Sequence, residues 1–507
     1  MRCGKKESAV ELPQPAALRA DSREHAVSKQ EIVYTAMRDA ILGRLIPADT
    51  RLPSTRTLAQ RWGLSRGTVE AAYDRLGAEA YVTRVPGSGT HVCAVVPDRY
   101  LMATGTAPGH RVAALPVAAR QHTLSTVVSN RGTLGEVGVQ AGRPFVARLP
   151  DPALFSLPSW ARHMARSLRR VNTDTLSSAD PRGLPQLREQ IAAYLRTYRG
   201  IVCSTDDIVV LTGIRHALDL LARSVLRAGD AVCVEDPCYP AARRIFAQAG
   251  AVVIPVPVDQ EGLECARLED HPQARLVYVT PAHQSPTGAT MSVTRRLELI
   301  DWADRNGGWI IEDDYDSEFN YLNAPLAALK SLDNSGRVIY CGSFNKSLFA
   351  GLRVGFALVP AQLKCPLLTM WQTSGRSVGV MEQLTLASWM QDGAFIQHLR
   401  LTRRAYQARR DMLLAVLDAN APGCYTVSGQ HAGFHFVLWL RAGSDEASFC
   451  ARAAAAGLSL QGLRSLCEDV RLAPAVIVGY AALTMAQVRY GAQLLAQLLV
   501  QPEGEAR

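Results

Sequence analysis

Seven short apolar runs recur between residues 208 and 360: IVVLT, AVCVE, AVVIPVPV, LVYVT, GWIIEDD, RVIYCGS and GFALVP. Stretches of helical texture separate them. Runs of that length, rich in Val and Ile and alternating with helices, predict an α/β domain built on a mainly parallel sheet. Beyond about residue 390 the texture changes to long helices with a few strands, which suits a smaller C-terminal subdomain. At 507 residues the chain is too long for one typical domain, so the region ahead of this sheet needs its own reading.

That region divides in three. Residues 1–27 carry Pro, Ala and mixed charge without a period and are expected to be a disordered leader. Residues 28–93 read as helix, turn, helix and then a Gly-tipped hairpin. The pattern EIVYTAMRDAILG puts Ile32, Ala36, Ile41 and their neighbours on one apolar face. Ser54 is a good cap for a second helix ending at Gly63, a third begins at Ser65, and YVTRVPGSGTHV reads as a β-hairpin. Residues 94–140 are Ala, Gly, Thr and Val rich and are expected to be a linker, leaving 141–500 for the sheet domain.

The small N-terminal layout is that of a winged helix-turn-helix, which inserts the N-terminal end of its second helix into the major groove. Here that end carries Ser65, Arg66, Gly67 and Thr68. Arg66 can read guanine, Ser65 and Thr68 can bond phosphates or bases, and Gly67 allows close backbone approach. Arg51, Arg56, Arg61 and Arg66 follow one another with no acid between them, a local excess suited to a phosphate backbone. The formal charge of +9 is compatible with a polyanionic partner and does not establish one. No apolar run is long enough for a membrane helix. The 11 cysteines are scattered without a CxxC pair, so neither metal nor disulfide is expected, and a cytoplasmic protein is.

In the sheet domain, GSFNKSLFAGLRVG follows a strand and gathers Ser343, Asn345, Lys346 and Arg353. A lysine among phosphate ligands is what covalent capture of pyridoxal phosphate requires. Ser343 offers a hydroxyl and Arg353 a fork of donors to the dianion. Upstream, Asp313 can pair with the pyridinium nitrogen, Tyr315 can donate to the ring's phenolic oxygen, and Tyr239 can stack on the ring. LTGIRHALDLL places Thr212, Gly213 and Ile214 at a helix N-terminus, where backbone N–H groups favour phosphate.

The stretch from Arg51 to Val92 resembles the GntR family of bacterial regulators. That resemblance implies Arg56, Ser65, Arg66 and Thr68 as operator contacts, with Gly87 and Ser88 at the wing tip. TPAHQSPTG, EDDYDSEF, GSFNKSLFAGLRVG and HLRLTRRAYQARRDML resemble fold type I aminotransferases, and specifically the MocR (GabR-like) subfamily, which fuses a GntR head to such a domain. The resemblance spans most of residues 28–498. It implies Lys346 as the cofactor-carrying lysine, Asp313 at the ring nitrogen, Tyr315 at the phenolic oxygen, and Ser343 and Arg353 at the phosphate. It also implies a bacterial, nucleoid-associated homodimer, commonly head-to-tail.

Several positions depart from the family pattern. Ser178 stands where the fold usually has a Tyr reaching the neighbouring subunit's phosphate. Ser285 replaces the Asn of the NPTG motif, and Arg215 takes a place often held by Gln. Ile477 sits where aminotransferases carry the Arg that clamps the substrate carboxylate, and an apolar side chain cannot make that contact. Arg148 occupies a position where Gly is expected; it is read as a solvent-facing loop residue, with a replacement charge as the alternative. The expected function is therefore ligand-dependent control of transcription, the ligand being an amine, an amino acid or pyridoxal phosphate itself. An active aminotransferase with an accessory DNA-binding domain is the rival.

Overall fold

The computed structural model describes residues 15, 28–43, 45–79, 81–85, 88–93, 143–177, 180–321 and 327–501. Apart from Pro15, the expected leader lies outside the described residues, as do the expected linker, Gly87 and Ser178. The chain divides into two compact units, Met1–Thr104 and Gly105–Arg507.

In the first unit α1 (Lys29–Leu42), α2 (Thr55–Trp62) and α3 (Arg66–Ala78) precede the hairpin of β1 (Val82–Val85) and β2 (Gly89–Val92). A serine opens each helix. The side-chain oxygens of Ser28, Ser54 and Ser65 accept the N–H groups of Glu31, Thr57 and Thr68 at 3.2, 3.1 and 3.1 Å. Each cap satisfies one donor that the first turn leaves without a partner, worth about 1 kcal/mol. Gly63, at φ +66°, closes α2 in the left-handed region and makes the turn into α3. Met37, Leu58, Trp62, Val69, Tyr73 and Leu76 form the heart of the core. Ile32 and Ala36 were expected on the buried face of α1, but they are only half-buried. The buried stripe is Val33, Tyr34, Met37, Ala40 and Ile41. Tyr34 packs toward α3: the Arg75 guanidinium lies 3.7 Å from its ring centre, and its hydroxyl donates to Glu79.

The second unit opens with α4 (Leu157–Arg170), α5 (Thr173–Leu176) and α6 (Pro185–Arg199). Strands and helices then alternate: β3 (Ile208–Leu211), α7 (Ile214–Val225), β4 (Ala231–Asp236), α8 (Pro240–Gln248), β5 (Val252–Asp259), β6 (Gly262–Leu263), β7 (Leu276–Val279), α9 (Val293–Asn306), β8 (Trp309–Asp314), β9 (Val338–Ser343), α10 (Phe344–Ser347) and β10 (Gly355–Leu358). They form an eight-stranded sheet in the order β3-β10-β9-β8-β7-β4-β5-β6. The run from β9 to β5 is parallel, whereas β10 is antiparallel to both its neighbours and β6 to β5. Every residue of β7 and β8 is buried, as in a parallel sheet covered on both faces.

Two helices, α11 (Ala361–Ser374) and α12 (Val380–Gln391), lead to the smaller subdomain. This contains α13 (Ala394–Asn420), β11 (Thr426–Ser428), β12 (His435–Trp439), α14 (Glu446–Ala455), β13 (Gln461–Gly462), β14 (Ala475–Gly479) and α15 (Met485–Val500). Its four strands are antiparallel, in the order β11-β12-β14-β13. Sequence texture starts this subdomain near residue 390, yet the segment around Phe145 belongs to it as well. Phe145 bridges to Gly479 and its ring is fully buried in the subdomain core.

The end of β8 is anchored by charge. Arg199 and Asp314, 3% and 5% exposed, form an ion pair at 2.5 Å, and the Tyr340 hydroxyl donates to the same carboxylate at 2.6 Å. Asp314→Ala removes the carboxylate that pairs with the buried Arg199. We expect it to cost about 3–5 kcal/mol of stability, seen as a lower denaturation midpoint by tryptophan fluorescence. An unchanged midpoint would show that the pair contributes nothing.

Candidate cofactor site and DNA-reading surface

The carboxyl ends of the parallel strands carry the reactive groups, as open α/β sheets generally arrange them. Lys346 lies on α10, the single turn that follows β9. Its Nζ donates to the main-chain carbonyl of Arg148 at 2.6 Å. Burial first, and then the Arg148 charge, lower its pKa to about 8, against the pull of Asp316 and Asp313; Arg215 adds to the lowering. Four residues from three distant segments thus converge on one amine.

Asp313, at the end of β8, is 5% exposed and accepts a hydrogen bond from the Tyr278 hydroxyl at 2.6 Å. Burial raises its pKa to about 7, opposed by that bond and reinforced by Asp314, Glu235 and Asp316. A buried acid of this kind ionises fully when a cation is placed against it. Tyr315 lies 3.2 Å from His283 Nδ1 through its hydroxyl and also bonds the Ser285 side chain. Ser285 therefore still offers a hydroxyl to this corner where an amide would have stood.

The helix N-terminus expected at Thr212 to Ile214 is the start of α7, with Gly213 as its N-cap residue. Gly213 has φ +116°, and a Cβ there would approach Asn345 Nδ2 to 2.8 Å. Gly355 abuts it: a Cβ on Gly355 would lie 2.9 Å from Gly213 Cα. At both glycines the start of α7, Asn345 of α10 and β10 approach too closely for a side chain. Ser343 caps α10 by accepting the Asn345 N–H at 3.3 Å. Arg353 is exposed, and its charge reaches His216 of α7. Arg215 donates to the Tyr239 hydroxyl at 2.8 Å, which turns Tyr239 toward the same helix end. The donor set fits a phosphate with an aldehyde-bearing ring: backbone N–H groups, hydroxyls and guanidinia at one end, an amine of lowered pKa and a buried acid at the other.

Arg148 differs from its expected place in solution. Its Nη2 donates to Gln461 Oε1 of β13 at 2.7 Å, and its charge acts on Lys346, Tyr315 and His435. The correction has a physical cause: residues 143–150 return to the small sheet through Phe145, which draws the next residues over the site. Ile477, by contrast, is fully buried and apolar-packed on β14.

Sequence reasoning did not single out His283, Asp316, His435 or Gln284. His283 and Asp316, both about as buried as core residues, pair at 2.9 Å behind Tyr315. Burial lowers the His283 pKa, but Asp316 more than offsets it and the net direction is upward. Gln284 wraps the turn before Pro286, donating to Pro237 O at 2.8 Å and accepting from Thr287 N at 2.9 Å. The string HQSPTG already held these two side chains; their partners lie dozens of residues away.

In the N-terminal unit Arg51, Arg56, Arg61, Ser65, Arg66 and Gly67 are all exposed. Thr68 is half-buried, and its hydroxyl pairs with that of Ser65 at 2.7 Å. Ser88 holds His91 Nε2 at 2.9 Å beside the wing tip. Arg66 has only a loose ion pair, 3.9 Å, to Glu70.

The lowered pKa of Lys346 has a kinetic consequence, since only the neutral amine attacks an aldehyde. Capture of pyridoxal phosphate should speed up with pH and level off above about 8. In Arg148→Ala the inflection should move upward, because a cation that disfavours the charged lysine is gone. Absorbance-monitored mixing across a pH series measures both. An inflection in the range of ordinary lysines, unmoved by the substitution, would contradict this account.

Comparison with known proteins follows the same division. Residues 29–92 match the family model for bacterial regulatory proteins of the gntR family, and residues 149–493 match aminotransferase class I and II. The probable rhizopine catabolism regulatory protein MocR of Rhizobium meliloti is 34% identical over 472 residues, covering 92% of this chain and 93% of that protein. The HTH-type pyridoxine biosynthesis transcriptional regulator PdxR of Corynebacterium glutamicum is 33% identical over 371 residues, 73% of this chain and 74% of its own. Among solved structures, Pyrococcus horikoshii kynurenine aminotransferase superposes with a TM-score of 0.65 at 26% identity, covering 70% of this chain and 90% of its own. No helix among the described residues is long and apolar enough to cross a membrane. With a GntR helix-turn-helix, which implies DNA binding, joined to an aminotransferase class I and II domain, the chain belongs to the MocR subfamily of GntR-family transcription regulators, a family that acts as dimers.

Proposed function

We propose that the aminotransferase-like unit holds pyridoxal phosphate and uses it to sense an amine-bearing effector, which changes how the helix-turn-helix units of a dimer engage DNA. Lys346 would hold the cofactor's aldehyde carbon. Asp313 would face the ring nitrogen, Tyr315 the phenolic oxygen and Tyr239 the ring face. Gly213, Ile214, Ser343 and Arg353 would hold the phosphate. When bound, the cofactor supplies reversible covalent chemistry toward primary amines. The observation that carries this reading is the amine of Lys346, lowered to about 8 and borne on the turn whose Asn345 packs on Gly213 at the start of α7.

The rest is linkage. An effector moves a dimer between two DNA-binding geometries only by its differential affinity for them. A head-to-tail dimer, with each DNA-binding unit over the other protomer, would give the cofactor site a path to that geometry, and action on chromosomal DNA implies the cytoplasm. Contacts to the operator would come from Arg56, Ser65, Arg66 and Thr68, with Gly87 and Ser88 at the wing. Efficient transamination is disfavoured because Ile477 offers the substrate no ionic contact. A second reading, a sensor of pyridoxal phosphate itself, is favoured by the likeness to the regulator of pyridoxine biosynthesis.

Three measurements test the proposal. Titrating the full-length protein with amines, and separately with free cofactor, should shift both its absorbance and its operator affinity, and Lys346→Ala should abolish the amine response. Turnover with a common amino acid and keto acid should fall far below typical enzyme rates of about 1–10³ per second; turnover in that range would make the chain an aminotransferase first. Arg66→Ala should weaken operator binding by about 1–3 kcal/mol with less effect on random DNA. Operator and random DNA bound as tightly as by the parent would remove Arg66 from the interface.

A further inference from the structure

Residues directly opposed in an antiparallel ladder point to the same face. Ile477 is opposed to Val437 on one side and Gln461 on the other, so these three share a face of the small sheet. His435, two residues before Val437, lies on that face too, and its ring centre is 5.9 Å from that of His283. The face therefore looks toward the Lys346 site. Ile477 fills its middle with an apolar side chain packed on Val437, Leu463 and Leu466, and no anion can be bound there.

A guanidinium stands over the same face from a different chain segment. Arg148 Nη2 bonds Gln461, the ladder partner of Ile477, at 2.7 Å. The main-chain carbonyl of Arg148 accepts from Lys346 Nζ at 2.6 Å, and the Arg148 charge acts on that amine. Gln461 holds one of its terminal nitrogens. The backbone at Arg148 is left-handed, φ +63°, a conformation that costs a residue with a Cβ about 1–2 kcal/mol. A large side chain held in a glycine's conformation beside a reactive lysine is where strain tends to accompany function.

We propose that Arg148 supplies the carboxylate contact that Ile477 cannot, so the effector of this site is an aminocarboxylate: its amine would displace the Lys346 amine from the cofactor's aldehyde carbon, and its carboxylate would lie on the Arg148 guanidinium. The inference rests on Lys346 being the cofactor-binding lysine. A planar guanidinium binds a carboxylate through two parallel N–H bonds, a geometry no lysine reproduces. The charge that would bind the carboxylate also helps to keep Lys346 neutral enough to react, so one residue serves both ends of the ligand.

The test compares acids with amines that differ only in lacking the carboxyl group. Full-length protein loaded with pyridoxal phosphate is titrated with glycine, β-alanine and 4-aminobutanoate, and with methylamine, ethylamine and propylamine, reading absorbance and operator affinity. In the parent at least one acid should act at concentrations about tenfold or more below its matched amine. Arg148→Ala should bring that ratio close to one, and Arg148→Lys should keep part of it. The ratio cancels any general loosening of the site, which a merely structural role of Arg148 would produce. Equal potency of acids and matched amines in the parent overturns the proposal without any variant, and so does a preference that survives in Arg148→Ala. If that variant does not fold, an undiminished ratio in Arg148→Lys overturns it, because a point charge would then serve as well as the fork. A parent without any cofactor absorbance overturns the Lys346 reading itself, a separate and visible outcome.

Discussion

Parallel pairing of β8 with β9, in the register Asp313↔Cys341 and Asp314↔Gly342, sets the spacing between the buried acid and the lysine-bearing turn. Successive side chains of a strand point to opposite faces. Asp313 therefore turns to Tyr278 and the site, whereas Asp314 turns to Arg199 and Tyr340. One of the two neighbouring carboxyls is neutralised by a buried arginine, and the other is left for chemistry. The register also needs Gly342, because a Cβ there would come within 2.4 Å of the Phe356 ring on β10. Shift the pair by one residue and the two aspartates exchange faces, and the site loses its acid.

Around Lys346 the charges nearly balance, two arginines against two aspartates. Balance matters because nearby cations help to keep the amine neutral and reactive, whereas an amine among carboxylates alone would stay protonated. Asp313, held near neutrality by burial, can answer a ring cation by ionising. These features favour capture of a cofactor. Turnover needs more, namely a substrate held by its carboxylate so that the reacting bond is aligned, and the position where aminotransferases place that clamp is core here. A regulator needs capture and a held ligand, and can dispense with that alignment.

Much was legible in the chain itself. Serines before each N-terminal helix are local signals, since a cap acts on the backbone two or three residues away. The strands of the large sheet announced themselves as short apolar runs because both faces of a parallel sheet are buried. Asp313, Ser343, Lys346 and Gly213 were readable because each sits just after a strand or before a helix.

What tertiary structure alone decided are the contacts that span the chain. Arg148 meets Gln461 across 313 residues and Lys346 across 198. No periodicity encodes such separations, so a loop arginine reads as solvated until Phe145 is seen joining Gly479. His283 and Asp316 became a pair for the same reason. Sequence determines what each segment prefers along its own length; only the packing of distant segments decides which side chains share a low-dielectric space, and there their charges act on one another.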